Sequence, residues 1–217
     1  MGEAELDTNK LLLTIYADLI FYGNAANEIL AKQIADDVAS HWNEPAVSVR
    51  IDHEWYRVIF NIRGFFEAGL RDMDVLENVD PRKNYFRIEE YASGNISFVD
   101  GINCNTGYFK LDNLLNNSTT AAHEFGHTIG LDHPDNIDIR EKGVPGIMYP
   151  RGTLVDPGFQ YDPAAVPGTK GGTMNPFTRK VLLEDIEGLH LPRLTFNEKG
   201  IAVLGEFSSV WHEADQQ

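Results

Sequence analysis

Apolar residues in the first part of the chain follow two spacings in turn, one typical of strands and one typical of a helix. Residues 11–22 (LLLTIYADLIFY) are rich in Leu, Ile and Tyr, which predicts a β-strand. Asn24 can cap a helix, and apolar residues then recur every four positions as far as Trp42. Two β-like stretches follow at residues 46–51 and 55–62. The order strand, helix, strand predicts a crossover packed on a mixed sheet.

The middle of the chain contains shorter apolar stretches separated by polar loops. Residues 85–91 and 96–99 are predicted to be strands, whereas residues 64–83 fit no single pattern. Residues 100–107 (DGINCNTG) form a polar loop that contains glycine. Residues 116–118 (NNS) can then cap a second helix, because Asn and Ser side chains accept hydrogen bonds from the first free backbone N–H groups.

Proline and glycine dominate the next part of the chain. Residues 134–176 hold seven of the ten prolines, which predicts a long loop region. A further helix is predicted to start at Asn175-Pro176, because proline is favoured at the first helical position. Residues 194–196 and 201–207 are predicted to form a terminal hairpin around the polar turn between them.

The length of the chain, 217 residues, allows one domain with a full hydrophobic core. We predict a single α+β domain over residues 1–217, since no internal repeat or linker divides it. Its sheet-bearing upper half is expected at about 8–130, its loop-rich lower half at about 131–191 and a C-terminal extension at 192–217.

Charge and cysteine content limit the partners that fit. The chain has 18 basic and 33 acidic residues, a net charge of −15, so contacts with nucleic acid or an anionic membrane surface would be repulsive. No apolar run is long enough to cross a bilayer, and no signal peptide is visible. The only cysteine, Cys104, permits no internal disulfide. It is expected to be a small buried residue rather than a reactive or metal-binding one.

Residues 119–133 (TTAAHEFGHTIGLDH) carry the candidate chemistry. On a helix, His123 and His127 are one turn apart and project from the same face, so both can bind one Zn²⁺. Glu124 lies beside the first histidine, where its carboxylate can take a proton from a water on the metal. The sequence therefore predicts a zinc site with its own general base.

A third ligand is predicted from the chain that follows this helix. Gly130 can adopt the positive φ that ends a helix in a sharp turn, which would return His133 to the metal. Three imidazoles leave one position of a tetrahedral zinc site open, as in catalytic sites. The alternatives are a solvated helix with incidental histidines and a zinc site that binds without catalysis, and the latter has no need of Glu124.

This pattern resembles the metzincin metallopeptidases, whose signature is H-E-x-x-H-x-x-G-x-x-H followed by a methionine-containing turn. The turn is present as residues 146–150 (GIMYP). The residues within the motif are most similar to those of the matrixin branch. Residues 182–191 (LLEDIEGLHL) resemble the helix that closes matrixin catalytic domains. The resemblance covers about residues 119–150 and 176–191, and upstream only the order of elements fits.

The resemblance implies a zincin-like fold with a twisted mixed sheet, an active-site helix and a loop-rich lower half. It also implies cleavage of peptide bonds in a protein or peptide that lies extended along an edge strand, expected within residues 95–111. One catalytic Zn²⁺ is implied, with Met148 forming an apolar floor beneath its ligands. Secretion is the location implied by the family.

The main specificity pocket of the family is built after the methionine turn, here residues 151–175. Phe159 and Tyr161 are candidates for its wall, and Tyr149 directly follows the methionine as in matrixins. The alternative for the first two is a surface loop with incidental aromatic residues. Pro150 stands where related branches place a tyrosine near the metal, so Tyr149 is not assigned as a ligand.

Several features depart from the family pattern. No cysteine-containing propeptide switch precedes the domain, and the histidine-rich segment for a second zinc is absent upstream of His123. The loop 100–107 offers oxygens suitable for calcium as a second ion, although such loops are more often plain turns. Two alternative functions stay open: a toxin or effector domain of a larger secreted polypeptide, with a protein inhibitor or immunity-type partner, and a zinc-stabilised binding module.

Overall fold

In the described part of the chain, eight strands form one mixed β-sheet, and four α-helices and a long loop region accompany it. The computed structural model describes residues 1–215. The strands, in chain order, are β1 (Gly2–Asp7), β2 (Leu12–Tyr22), β3 (Ser48–Ile51), β4 (Glu54–Phe66), β5 (Lys83–Glu89), β6 (Phe98–Val99), β7 (Thr106–Lys110) and β8 (Ile201–Leu204). The helices are α1 (Glu28–Asn43), α2 (Asp72–Leu76), α3 (Thr120–Thr128) and α4 (Leu183–Gly188). The α+β class agrees with the prediction.

Strand β2 organises the sheet because it pairs along both edges. On one edge it runs parallel to β4 over ten residue pairs. On the other edge its first half pairs antiparallel with β1, and its second half pairs parallel with β5. The path through the sheet is β3-β4-β2-β5-β7-β6, so β6 is its last strand among the described residues. The sheet is therefore mixed, as the strand, helix, strand order predicts.

Helix α1 covers one face of this sheet. It begins at Glu28, and the Oδ1 atom of Asn27 accepts a hydrogen bond from the N–H of Leu30 at 3.0 Å. Asn27, not the predicted Asn24, is thus the cap. The apolar positions spaced along the helix are buried, including Trp42 at 1% exposure. Gly64 of β4 lies so close to the helix that a Cβ added there would be 2.0 Å from the Ala31 carbonyl oxygen.

The predicted terminal hairpin is wrong. Residues 194–196 form no strand, and β8 instead pairs antiparallel with β1, with Gly2 opposite Leu204. The sequence of β1, GEAELD, alternates, but it is short and half acidic and two of its non-acidic positions are Gly and Ala, so it carries a weak strand signal. It also extends the sheet ahead of the predicted boundary at residue 8. The N-terminal strand β1 has an edge available for pairing, and β8 forms its backbone hydrogen bonds there.

The start predicted for the last helix is also wrong. The Asn175 side chain accepts a hydrogen bond from the Phe177 N–H at 3.1 Å, but only a 3₁₀ turn, Pro176–Thr178, follows. The α-helix begins seven residues past that proline, at Leu183. Upstream of it, residues 134–176 contain turns and isolated bridges but no α-helix or multi-residue strand. This loop region has a small apolar cluster of its own, formed by Ile139, Val155 and Met174.

Within residues 1–215, no helix combines the length and the apolar character that a membrane crossing requires.

Candidate metal centre

Helix α3 carries the candidate site and is buried along its whole length. Of the predicted caps, Ser118 accepts from the N–H of Thr120 at 3.2 Å, whereas Asn116 and Asn117 have positive φ. The indole N–H of Trp42 donates to the Ala122 carbonyl at 3.0 Å. This bond ties α3 to α1, so the site helix is held by the main core rather than by its own propensity.

The structure brings His123, His127 and His133 together. The Nε2 atom of His133 lies 3.1 Å from that of His123 and 3.2 Å from that of His127. One nitrogen of each ring lies within 4.8 Å of the others, which is a separation that one metal ion can bridge. Among the described residues no other cluster of His, Cys, Asp or Glu side chains has this arrangement.

Backbone carbonyls set the orientation of two of the rings. The Nδ1 atom of His123 lies 2.7 Å from the Ile147 oxygen, and the Nδ1 atom of His127 lies 2.7 Å from the Leu131 oxygen. Since a carbonyl only accepts, both Nδ1 atoms carry the proton and both Nε2 atoms present lone pairs. His133 can donate to only one of them. A cation placed among the three nitrogens would satisfy all of the lone pairs, so the residues fit a metal ion.

Arg179 lies against this arrangement. Its Nη1 atom is 2.9 Å from Nδ1 of His123 and 3.1 Å from the Tyr149 oxygen. Because Nδ1 of His123 already donates to Ile147, the first of these is a contact between two donors, and the hydrogen bond goes to Tyr149. Burial, followed by this guanidinium, lowers the pKa of His123 well below its usual value.

All three imidazoles are neutral near pH 7. Burial lowers the pKa of His127 and of His133 below the usual 6.5, as it does for His123. Metal ligation requires the unprotonated ring, so no proton has to be displaced from these nitrogens at neutral pH.

Glu124 lies beside the histidines and is buried, with 7% of its surface exposed. Its Oε2 atom accepts from the N–H of Val99 on β6 at 3.1 Å. Burial raises the pKa of this carboxyl to about 8, and Arg179 and the Val99 bond oppose the shift. With this pKa the carboxyl is mostly protonated at pH 7 and exchanges its proton slightly above neutral pH. Glu124, His123 and His133 line one cavity of about 270 Å³.

Met148 lies under the helix at Gly126, between the two helical histidines. A Cβ added at Gly126 would be 2.3 Å from the Met148 Sδ atom and 3.2 Å from Trp42. Met148 is 2% exposed, so its side chain fills the space that the glycine leaves. Gly126 was not predicted as a site residue. The sequence feature that could have identified it is a glycine within a predicted helix, where glycine costs about 1 kcal/mol of helix stability relative to alanine.

Asp185 holds the turn that carries Met148. Its Oδ2 atom accepts from the N–H of Leu182 at 2.7 Å and from that of Ile147 at 3.4 Å. Burial raises the pKa of this carboxyl to about 6. Since Ile147 in turn accepts from His123, Asp185 connects α4 to the imidazoles, and only the tertiary structure makes that link visible.

Gly130 ends the site helix with φ of +106°. The N–H of Leu131 bonds back to the Gly126 oxygen at 2.9 Å, and an added Cβ at Gly130 would lie 2.8 Å from the Asn103 Oδ1 atom. Both the positive φ and the neighbouring Asn103 side chain therefore favour glycine at this turn. The chain beyond the turn brings His133 back to the other two rings.

None of the predicted pocket residues is part of the lining of the cavity beside Glu124. Phe159 and Tyr149 pack against the Ile139 cluster, and Tyr161 is 46% exposed. Tyr149 lines a separate cavity of about 420 Å³ that includes Met148 but none of the histidines and not Glu124. The cavity beside Glu124 is instead lined by residues that include Arg151 and Arg179, which the sequence did not single out.

The loop 100–107, the candidate for calcium, makes hydrogen bonds to other protein groups. The Asp100 carboxylate accepts from the hydroxyl of Thr106 at 2.5 Å and from Nε2 of His212 at 2.9 Å. Calcium there stays a prediction. Cys104, in the same loop, is buried, and its thiol donates to the Ser208 carbonyl at 2.8 Å.

Comparison with known proteins gives likenesses to solved structures alone. No protein-family model matches the chain. No curated protein matches it either. Six chains of solved structures match. One of them is the structure of myroilysin, whose sequence is 10% identical to this one. The structural match covers 83% of this chain and 94% of the myroilysin chain, with a TM-score of 0.39. A likeness of this size assigns no family, so the case for function rests on the geometry of the site.

Proposed function

We propose that the chain is a zinc-dependent endopeptidase of the metzincin class, most similar to the matrixins, acting on proteins or peptides. The supporting observation is the convergence of three neutral imidazoles beside a buried carboxyl. His123, His127 and His133 would hold one zinc ion, because nitrogen donors at this spacing suit Zn²⁺ and leave one position open. A bound zinc ion supplies Lewis acidity, which polarises a carbonyl and lowers the pKa of water.

Glu124 performs the proton transfers in this mechanism. Its carboxylate takes a proton from the attacking water and passes it to the departing amine. The Val99 N–H, 3.1 Å from Oε2, fixes the orientation of the carboxyl. Strand β6, which carries Val99, is the last strand of the sheet path, and an extended peptide would lie along this edge.

The test is Glu124→Gln, which keeps the size of the side chain and removes the base. Bound zinc is expected to remain at one per chain by mass spectrometry, while kcat/KM on a peptide library falls by about 10²–10⁴-fold. The matched control is Glu54→Gln, since Glu54 also follows a histidine but lies exposed on β4. Unchanged cleavage by Glu124→Gln would remove that residue from its role, and zinc binding without turnover by the wild type would favour a binding module.

A further inference from the structure

Two arginines at the cavity beside Glu124 have no ion-pair partner among residues 1–215. Arg151 and Arg179 both line it, yet neither takes part in a salt bridge there. Arg87, by contrast, is also buried but pairs with Glu89 at 2.6 Å. In a chain of net charge −15, two unpaired guanidinium groups at one cavity require an explanation.

Arg179 is 4% exposed, which makes its missing partner costly. Its Nε donates to the Thr119 hydroxyl at 2.9 Å and its Nη1 to the Tyr149 carbonyl. No acceptor lies within hydrogen-bonding distance of Nη2 among the described residues. Neutral oxygens thus hold the guanidinium in place, Glu124 acts on its charge without forming an ion pair, and the Nη2 donor group has no protein acceptor.

Arg151 adds a second positive charge at the mouth of the same cavity. It is exposed, and its only side-chain hydrogen bond among the described residues is a long one to the Asn113 amide oxygen, at 3.4 Å. Glu124 is the only acidic residue of the lining, so the two arginines outnumber it. Apolar and neutral side chains, Ile96, Ser97 and Pro150 among them, complete the wall.

We propose that this cavity binds a carboxylate of the peptide substrate next to the scissile bond, with Arg151 and Arg179 as the groups that recognise it. The proposal rests on the peptidase function proposed above and names its substrate class. A guanidinium presents two parallel N–H groups to a carboxylate, and a docked Asp or Glu side chain would supply the missing counter-charge. The same chemistry is offered by a free C-terminal carboxylate, so the test must separate the two.

The experiment uses the full chain loaded with zinc and quenched fluorescent peptides that differ at one position flanking the bond. One pair compares Asp with Asn inside the peptide, on either side of the bond, and a second compares a C-terminal carboxylate with its amide. The acidic member of the matching pair is expected to have kcat/KM at least about 10-fold higher. A gain confined to the first pair assigns the site to a side chain, and a gain confined to the second assigns it to the chain terminus.

Variants connect the preference to the two residues. Arg151→Gln, at an exposed position, is expected to lower the acid-to-amide ratio several-fold. Arg179→Lys keeps the charge but loses the planar fork, so it is expected to lower the ratio as well. Arg50→Gln, exposed on β3 at the opposite end of the sheet path, is the charge control and should leave the ratio unchanged.

A second readout separates this proposal from the peptidase function. Binding of the same labelled peptides to Glu124→Gln, followed by fluorescence anisotropy, is expected to show the same preference without turnover. Cleavage with equal rates for the acidic and amide peptides, or a ratio unaffected by Arg151→Gln, would overturn the carboxylate site and leave the peptidase intact. If no peptide is cleaved, equal affinities in the binding assay would overturn it.

Discussion

Replacement of Gly126 by alanine tests whether the floor beneath the histidines depends on the absence of a side chain. The added Cβ would lie 2.3 Å from the Met148 Sδ atom, whereas non-bonded carbon atoms are most favourable at about 3.5–4.0 Å. The sulfur therefore has to retreat by about 1.2 Å or more. Trp42, 3.2 Å from the same Cβ, restricts the movement of the helix itself.

The expected change in the free energy of unfolding is the sum of two opposing effects. Overpacking of a buried site costs about 1–3 kcal/mol, and alanine gains about 1 kcal/mol over glycine in helix propensity. We expect a net loss of about 1 kcal/mol in the free energy of unfolding, or about 2–4 °C in Tm for a chain of this size. Urea denaturation in the presence of a chelator measures it, so that metal binding does not contribute. Gly152→Ala is the control, because nothing lies within 4 Å of its added Cβ.

A double-mutant cycle gives the sharper result. Met148→Ala alone is expected to cost about 2–5 kcal/mol, because it leaves a cavity under the helix. In Gly126→Ala/Met148→Ala the new methyl group occupies part of that cavity, so the pair should cost less than the sum by about 1 kcal/mol or more. Additivity within about 0.5 kcal/mol would refute the contact between Gly126 and Met148 as the reason for the glycine.

Two further predictions concern pH. The pKa values of the three histidines lie below 6.5, so zinc affinity, measured by competition with a coloured chelator, should stay constant from pH 8 to about 6.5 and fall only below that. A decline that begins above pH 7 would contradict it. The pKa of Asp185 is raised to about 6, so the wild type binds a proton more tightly when folded and loses stability as pH rises from about 4 to 6. Asp185→Asn can still accept at Oδ1 from Leu182 but does not titrate, so its stability relative to the wild type should rise over that window by up to about 3 kcal/mol. Parallel curves for the two proteins would show that the carboxyl does not titrate there.

Local spacing explains what the sequence could predict about the site. The positions of His123 and His127 follow from the period of one helix, and a glycine three residues later accounts for the turn toward His133. The same holds for β2, β4 and α1, which their long apolar patterns identify. The predicted boundaries of these elements differ from the observed ones by a few residues. These features depend on residues that are close together in the chain, so the sequence alone is enough to predict them.

The remaining features depend on residues that are distant in the chain. Arg179 lies 56 residues after His123, and no local pattern distinguishes it from an exposed arginine. Likewise β8 pairs with β1 from the opposite end of the described chain, so a hairpin with its nearest neighbour was the only local choice. The pocket was predicted from family position and stays a prediction, and Phe159 is partly buried against the loop region's own apolar cluster.

The burial of every residue of α3 determines how the centre can move. A helix with no exposed turn cannot fray, and its tie to Trp42 joins it to the largest apolar cluster. Its amide hydrogens are therefore expected to exchange with solvent only when the whole fold opens. Motions that admit an ion or a substrate must then come from the loops around the cavity, while the imidazole-bearing backbone stays still.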